Sequence, residues 1–339
     1  MWPISTNSSA VNAAASIDSN ATSTSTSETV IDVAADTFDS RGAAVVWDNG
    51  TIRSENTPHA GKLGFLYNST LGSLVRPFLS YTSIPSIIAG AYYDSTRSTG
   101  DIPGFIETYN IDMSEYIREN IEDYESFNDF FSRKIKPEAR PIASGLDEVA
   151  SPADSKVLVL DGLNEKSEFM VKGKPFQIGK FLHEERNAAD YEGGTIMVFR
   201  LAPQDYHRYH FPIEGTPSKA VRVDGYYESV HPAAYSAGFQ PLTENERHLT
   251  FIDSEEFGEV AMVAVGAMAV GRIEETYTPD QSAPKGGEAG YFQYGGSTIA
   301  LLFKKGAIAV DSQLLENSAN HMETVVKMGQ AVGCKPNIL

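Results

Sequence analysis

Apolar positions along this chain of 339 residues change their spacing twice, and each change marks a different kind of element. Up to about residue 42, Ser, Thr, Ala and Asn alternate with scattered acids. Such a stretch buries too little apolar surface to offset chain entropy, so a disordered leader is expected over 1–42. The runs Ala44-Val45-Val46-Trp47 and Thr51-Ile52-Arg53 flank Asp48-Asn49-Gly50, a sequence suited to a tight hairpin. Between Lys62 and Tyr93 the spacing turns helical, with Leu63, Phe65, Leu66, Leu71, Leu74, Val75, Phe78 and Leu79 roughly on one face. That face is expected to pack on the body of the protein, and docking in a bilayer interface is its competing use. Short helices follow over 103–116 and 126–131, the second capped by Ser126 with Asp129 three positions on.

Beyond Ile142 short apolar runs separated by Gly, Pro and Asp predict strands. They lie at 157–160, 168–171, 195–201, 220–223, 248–252, 260–265, 272–273 and 299–303. A helix over 176–186 interrupts them and a second, over 314–329, closes the chain. The pattern is α+β: an N-terminal helical segment over 43–142 and a β-rich, sandwich or barrel-like core over 143–339, ending in a C-terminal helix.

Composition narrows the function classes. Hydrophobic residues at 41% and aromatics at 10% describe an ordinary globular chain. A formal charge of −18 argues against broad binding to nucleic acid and against general attraction to anionic lipid. No run reaches the ~18 apolar residues of a spanning helix. The first 42 residues, with Arg41 as their single basic residue, resemble neither a secretory signal nor an Arg-rich presequence. A cytoplasmic or peripheral membrane location is therefore expected. Cys334 is the single cysteine, which excludes an internal disulfide and a multi-cysteine metal site.

Four short stretches carry candidate chemistry. In Gly295-Gly296-Ser297-Thr298 the glycines open the backbone before a hydroxyl that can attack the Gly296 carbonyl. A plain strand corner is the competing reading of these four residues. Ser151-Pro152-Ala153-Asp154 is a polar turn ahead of a strand. Asp205-Tyr206-His207-Arg208-Tyr209-His210 places two imidazoles three residues apart on a turn, suited to moving protons. No third metal ligand accompanies them in a recognisable pattern, so no metal is expected. The small residues of 263–271 read as close packing of backbones. Ile299 stands where a nucleophile elbow needs its second glycine, which disfavours a hydrolase of that kind.

The order of the motifs is more informative than any one of them. Phe130-Phe131-Ser132-Arg133, Ala139-Arg140-Pro141, Ser151-Pro152-Ala153-Asp154 and Val171-Lys172-Gly173-Lys174-Pro175-Phe176 come first. Asp205-Tyr206-His207-Arg208, Asn245-Glu246-Arg247, Val265-Gly266-Ala267-Met268, Gly290-Tyr291-Phe292, Gly295-Gly296-Ser297-Thr298 and Leu315-Glu316-Asn317-Ser318 follow. With these phrases in this order, the chain resembles the phosphatidylserine decarboxylases from about residue 60 to Gly333. These are pyruvoyl-dependent enzymes made as self-cleaving proenzymes.

The resemblance implies that His210, oriented by Asp154, takes the proton of Ser297, whose hydroxyl attacks the Gly296 carbonyl. Elimination across Ser297 and loss of ammonia would leave a pyruvoyl group at a new terminus, dividing the chain into 1–296 and 297–339. That group would condense with the substrate amine as a Schiff base and accept the electrons released with CO2, while His207 returns a proton. It also implies phosphatidylserine as substrate, phosphatidylethanolamine as product and a homodimer of processed chains. His231 stands before Pro232 where the family more often has Asn, which makes it a substrate-contact candidate and keeps the amine open. Decarboxylation of a soluble aromatic amino acid such as tryptophan is the alternative, and a non-catalytic lipid-binding β-domain is a third reading.

Overall fold

The computed structural model describes residues 45–336 apart from 56–64, 68, 81–83, 165, 168–174, 232–233, 236, 268–271 and 296. The leader at 1–42, the strand at 168–171, the phrase at 171–174, the end of the small-residue run and Gly296 lie outside the described residues.

The predicted hairpin forms as β1 (Val45–Asp48) and β2 (Thr51–Ser54). Asn49 and Gly50 take φ of 45° and 88°, the two positive values that a two-residue turn matching strand twist requires. Helices α1 (Thr70–Ser80), α2 (Ile84–Tyr93), α3 (Ile102–Tyr109) and α4 (Phe127–Phe131) follow. Ser126 caps α4 as expected, its hydroxyl accepting from the Asp129 amide at 3.1 Å. Ile102, Tyr124, Phe127, Phe130 and Phe131 form a buried cluster of their own in this N-terminal part.

The remaining strands are β3 (Glu148–Ala150), β4 (Ser155–Asp161), β5 (Thr195–Leu201), β6 (Arg208–His210), β7 (Thr216–Pro217), β8 (Val221–Val223) and β9 (Arg247–Ser254). They continue with β10 (Gly258–Gly266), β11 (Ile273–Glu275), β12 (Glu288–Phe292), β13 (Ser297–Phe303), β14 (Ala309–Val310), β15 (Glu323–Val326) and β16 (Ala331–Cys334). Among the described residues the main sheet runs β2-β1-β15-β4-β5-β13-β10-β9-β7, with β8 also on β9, and it does not close into a barrel. Two three-stranded sheets, β11-β12-β6 and β14-β16-β3, accompany it.

Strand alternation builds two cores from the same sheet. Val157, Val159, Phe199, Leu201, Ile299 and Leu301 enter one cluster together with residues of the small sheets, such as Tyr209, Phe292 and Val332. Leu158, Ile196, Val198, Ala300 and Leu302 enter the other, together with Phe181 and Leu182 of helix α5 (Ile178–Leu182) and Leu242 of α6 (Pro241–Glu244). Every residue of β5 and β13 is buried, which is why residues 196–199 and 299–303 within them read as unbroken apolar runs.

Three expectations are corrected. The helix expected over 314–329 is helix α7 (Ser312–Ala319) followed by strand β15. Asp311 caps α7, but His321 takes a left-handed φ of 57°, which ends it. The β-branched Thr324-Val325-Val326 then pairs with β4, and Glu323 and Thr324 lie parallel to β1. The helix expected over 176–186 stops at Leu182, because His183 and Glu184 both have positive φ. The histidine stretch, expected as a turn, carries the short strand β6, which pairs with β12.

A buried ionic cluster ties Glu55, just after β2, to strands β4, β5 and β15. Glu55 lies 3.0 Å from Arg200 and 3.3 Å from Lys156, while Arg200 also pairs with Glu323 and Lys156 with Asp205, both at 2.6 Å. Burial pushes Glu55 up, but the Arg200 and Lys156 charges outweigh it and pull its pKa from 4.5 down to about 2. A carboxylate lowered on folding stabilises above its unfolded pKa and loses that contribution as pH falls through the folded value. Glu55→Gln is therefore expected to lose roughly 3 kcal/mol of stability at neutral pH. Urea titrations should show the gap from wild type closing as pH falls from 4.5 toward about 2. A gap that does not change with pH would remove the ionic explanation.

Candidate active site

Ser297 is the first residue of β13, in the middle of the main sheet, opposite Leu201 of β5 and Gly266 of β10. It is fully buried. Gly295, two residues earlier, has φ of 145°, a conformation that side-chain-bearing residues avoid. The Tyr294 amide donates to Asn128 Oδ1 at 2.9 Å, and the Tyr294 ring packs among Tyr93, Phe127 and Phe131. Helix α4 thus holds the approach to Ser297.

His207 is also fully buried, and its Nδ1 lies 3.3 Å from Ser297 Oγ. Its Nε2 lies 3.0 Å from the Ala202 carbonyl. A carbonyl only accepts, so Nε2 carries the ring proton and Nδ1 presents a lone pair to the serine hydroxyl. Phe131 stacks on the imidazole with ring centres 3.9 Å apart. Burial above all, with the Arg133 guanidinium adding to it, drives the His207 pKa from 6.5 down to about 3. The ring is neutral at physiological pH and stays poised as a hydrogen-bond acceptor.

The structure does not bring His210 to Ser297. His210 Nδ1 donates to the Gly286 carbonyl at 2.9 Å, and Nε2 accepts from the Tyr206 hydroxyl at 3.1 Å. Burial lowers its pKa as well. Nor is Asp154 hydrogen-bonded to His210; its carboxylate accepts from Arg140 Nε and Nη2 at 2.8 and 2.6 Å and from the Met328 amide at 2.8 Å. Lys327 stands 3.6 Å away. Burial raises the Asp154 pKa, but the Arg140 bonds and the Lys327 charge reverse this and hold it below the usual carboxylate range. The two residues remain neighbours through the backbone, since the His210 amide donates to the Pro152 carbonyl at 2.8 Å.

His231 is buried where the charges of Arg200 and Glu55 reach it, and burial lowers its pKa to about 4. Arg200 pairs in register with Thr298, so it projects from the face of the sheet opposite Ser297. Among the described sequence-predicted residues, then, Ser297 and His207 are the pair whose side chains are in direct contact.

Sequence reasoning missed three supports. The Ala202 carbonyl orients His207, but a backbone group leaves no mark in a sequence. Arg140 holds Asp154, and Phe131 covers His207. Both were visible only as letters within Ala139-Arg140-Pro141 and Phe130-Phe131-Ser132-Arg133.

Comparison with known proteins places this geometry in context. The phosphatidylserine decarboxylase family model matches residues 127–334. The phosphatidylserine decarboxylase proenzyme of Fusobacterium nucleatum is 40% identical over 288 residues, covering 85% of this chain and 96% of that protein. The proenzyme of that name from Chlamydia muridarum is 38% identical over 286 residues, 84% of this chain and 95% of the relative. The one from Chlamydia pneumoniae is 43% identical over 269 residues, 79% and 89% respectively.

Proposed function

This chain belongs to the phosphatidylserine decarboxylase family, and from that premise we propose that it converts phosphatidylserine to phosphatidylethanolamine and CO2, using a pyruvoyl group that it makes from Ser297. The observation that carries the reading is the buried pair of His207 and Ser297, the serine that follows Gly295-Gly296 in the sequence. These surroundings fit a pyruvoyl group: a serine at a strand start, a neutral imidazole on its hydroxyl, and Gly295 in a conformation that frees the preceding backbone. When present, the group supplies an electron-accepting ketone that no standard side chain has.

In the proposed cleavage, Ser297 Oγ attacks the Gly296 carbonyl, its proton passes to an imidazole, and the peptide bond becomes an ester. Elimination then releases the Gly296 carboxylate, and hydrolysis releases ammonia, giving chains 1–296 and 297–339. We assign the cleavage proton to His210 and Asp154 from the family pattern, which requires His210 Nε2 to exchange Tyr206 for Ser297. His207, already at that position, is assigned the proton returned to the substrate carbon. The Phe131 ring on one face of His207 keeps water from it. A mass spectrum of the denatured protein is expected to show two chains, the smaller one lighter than its sequence because the serine amine is gone. CO2 should be released from phosphatidylserine and not from free tryptophan; the reverse would move the reading to a soluble amino acid.

The substrate's membrane suggests a use for the helical segment. No helix among the described residues is long and apolar enough to cross a bilayer. On α1 and α2, however, Leu71, Leu74, Ile87 and Ile88 are 60, 72, 64 and 65% exposed. We propose that these residues enter a lipid surface from one side, each side chain worth at most about 1.5–3 kcal/mol. Sedimentation with vesicles is the test: Leu71→Asp with Leu74→Asp should reduce the bound fraction about tenfold or more, and unchanged binding would reject this surface. A homodimer of processed chains completes the proposal, and analytical ultracentrifugation finding a single protomer would remove it.

A further inference from the structure

Helix α1 presents Leu71, Leu74 and Val75 to solvent on one face, and Arg76 projects from another. Arg76 Nη1 pairs with the carboxylate of Glu228, which is 1% exposed. Tyr67, just before α1, donates to the other oxygen of Glu228 at 2.8 Å and accepts from the Ser229 amide at 2.9 Å. Behind this pair Phe239 packs on both, with the Arg76 guanidinium 3.9 Å from its ring centre and the Tyr67 ring 5.7 Å away. The Tyr227 amide donates to the Ser80 carbonyl at 2.8 Å, at the other end of the helix. The apolar helix is thus fastened along its length to the segment around Glu228.

The same segment is fastened to β10, the strand next to the one that begins at Ser297. Asn245, fully buried, donates from Nδ2 to the carbonyls of Glu228 and of Gly266, both at 2.7 Å, and its Oδ1 accepts from the Glu228 amide at 3.1 Å. Gly266 is the register partner of Ser297. Val230 packs on Ala267, one residue further along. A continuous path of bonds therefore runs from α1 through Glu228 and Asn245 to the backbone beside Ser297.

We infer that Glu228 is a positioning residue that couples helix α1, seated in a lipid surface, to the strand end beside Ser297, and that turnover of membrane-borne phosphatidylserine depends on this coupling. The inference rests on the proposed phosphatidylserine decarboxylase activity. A substrate drawn from a bilayer must enter from the side where the apolar helix sits, so the helix and the site have to keep a defined relation. A substrate dispersed in water imposes no such constraint, and self-cleavage, which involves no lipid, does not either.

The test uses the full chain with Glu228→Gln, which keeps the shape and the hydrogen bond from Tyr67 but removes the charge paired with Arg76. Tyr67→Phe is the second variant, retaining the ring on Phe239 while deleting two hydrogen bonds. Both are assayed for cleavage into two chains, for CO2 release from a short-chain phosphatidylserine below its micellar concentration, and for CO2 release from phosphatidylserine in phosphatidylcholine vesicles. Cleavage and dispersed-substrate turnover are expected within about twofold of wild type, with vesicle turnover at least about tenfold lower. Equal loss on both substrates, or no loss on vesicles, overturns the inference. Should Glu228→Gln fail to fold, the vesicle-to-dispersed ratio of Tyr67→Phe decides. Wild type that releases CO2 from neither substrate would overturn the underlying activity instead, a distinguishable result.

Discussion

Ser297→Ala is expected to remain one polypeptide and to release no CO2 from phosphatidylserine. The hydroxyl is the nucleophile of the proposed cleavage and its carbon skeleton is the source of the ketone, so removing one oxygen removes both the cut and the electron sink. Neither loss is one of degree, because no neighbouring group supplies the missing oxygen; Thr298 projects from the opposite face of the strand. The fold should barely register the change. The deleted bond is the 3.3 Å contact to His207, and a neutral hydrogen bond of ordinary quality contributes about 1 kcal/mol. Denaturing electrophoresis, intact-mass measurement and a radiometric CO2 assay check the three parts together. Two chains from Ser297→Ala would place the cut elsewhere and end the proposed mechanism.

His207→Ala is expected to be cut and yet to lose about 10²–10⁴ in turnover. Cleavage is a single event per chain, and a slow proton acceptor still completes it given time. Turnover repeats the proton delivery in every cycle, so the same deficit appears in full. His210→Ala, by contrast, is expected to stay uncut, because the family pattern assigns it the serine proton. The geometry makes this a demanding test, since the structure sets His207 and not His210 against Ser297. An uncut His207→Ala together with a cut His210→Ala would give both proton transfers to His207. Because the imidazole is packed on Phe131, His207→Gln and a thermal melt should accompany the alanine variant, separating lost chemistry from lost packing.

The contrast between these two histidines shows where sequence reading stops. Three residues apart, with His207 just before β6 and His210 at its end, they were equivalent candidates by spacing, and the pattern placed both in one pocket. In the fold, His207 is drawn back onto the Ala202 carbonyl, which turns its other nitrogen to Ser297. His210 is taken up by Tyr206 and Gly286. The deciding partners are a main-chain carbonyl in each case, and every residue carries one, so composition and spacing cannot single them out. The C-terminal segment repeats the point: its residues suit a helix up to Asn320, but Thr324, Val325 and Val326 become strand because β4 offers partners that no local sequence shows.

Local chemistry, by itself, determined the Asn49-Gly50 hairpin, the Ser126 cap and the doubly buried strands β5 and β13. Each depends on residues a few positions apart, whose conformational limits or alternation are written into the chain. Tertiary structure alone decided which imidazole meets Ser297, that Asp154 is held by Arg140, and that Glu228 pairs with Arg76 of an apolar surface helix while Asn245 bonds both Glu228 and Gly266, the register partner of Ser297. Those relations bring together groups 14 to 152 residues apart, and they exist only once the sheet has set the register that places them side by side.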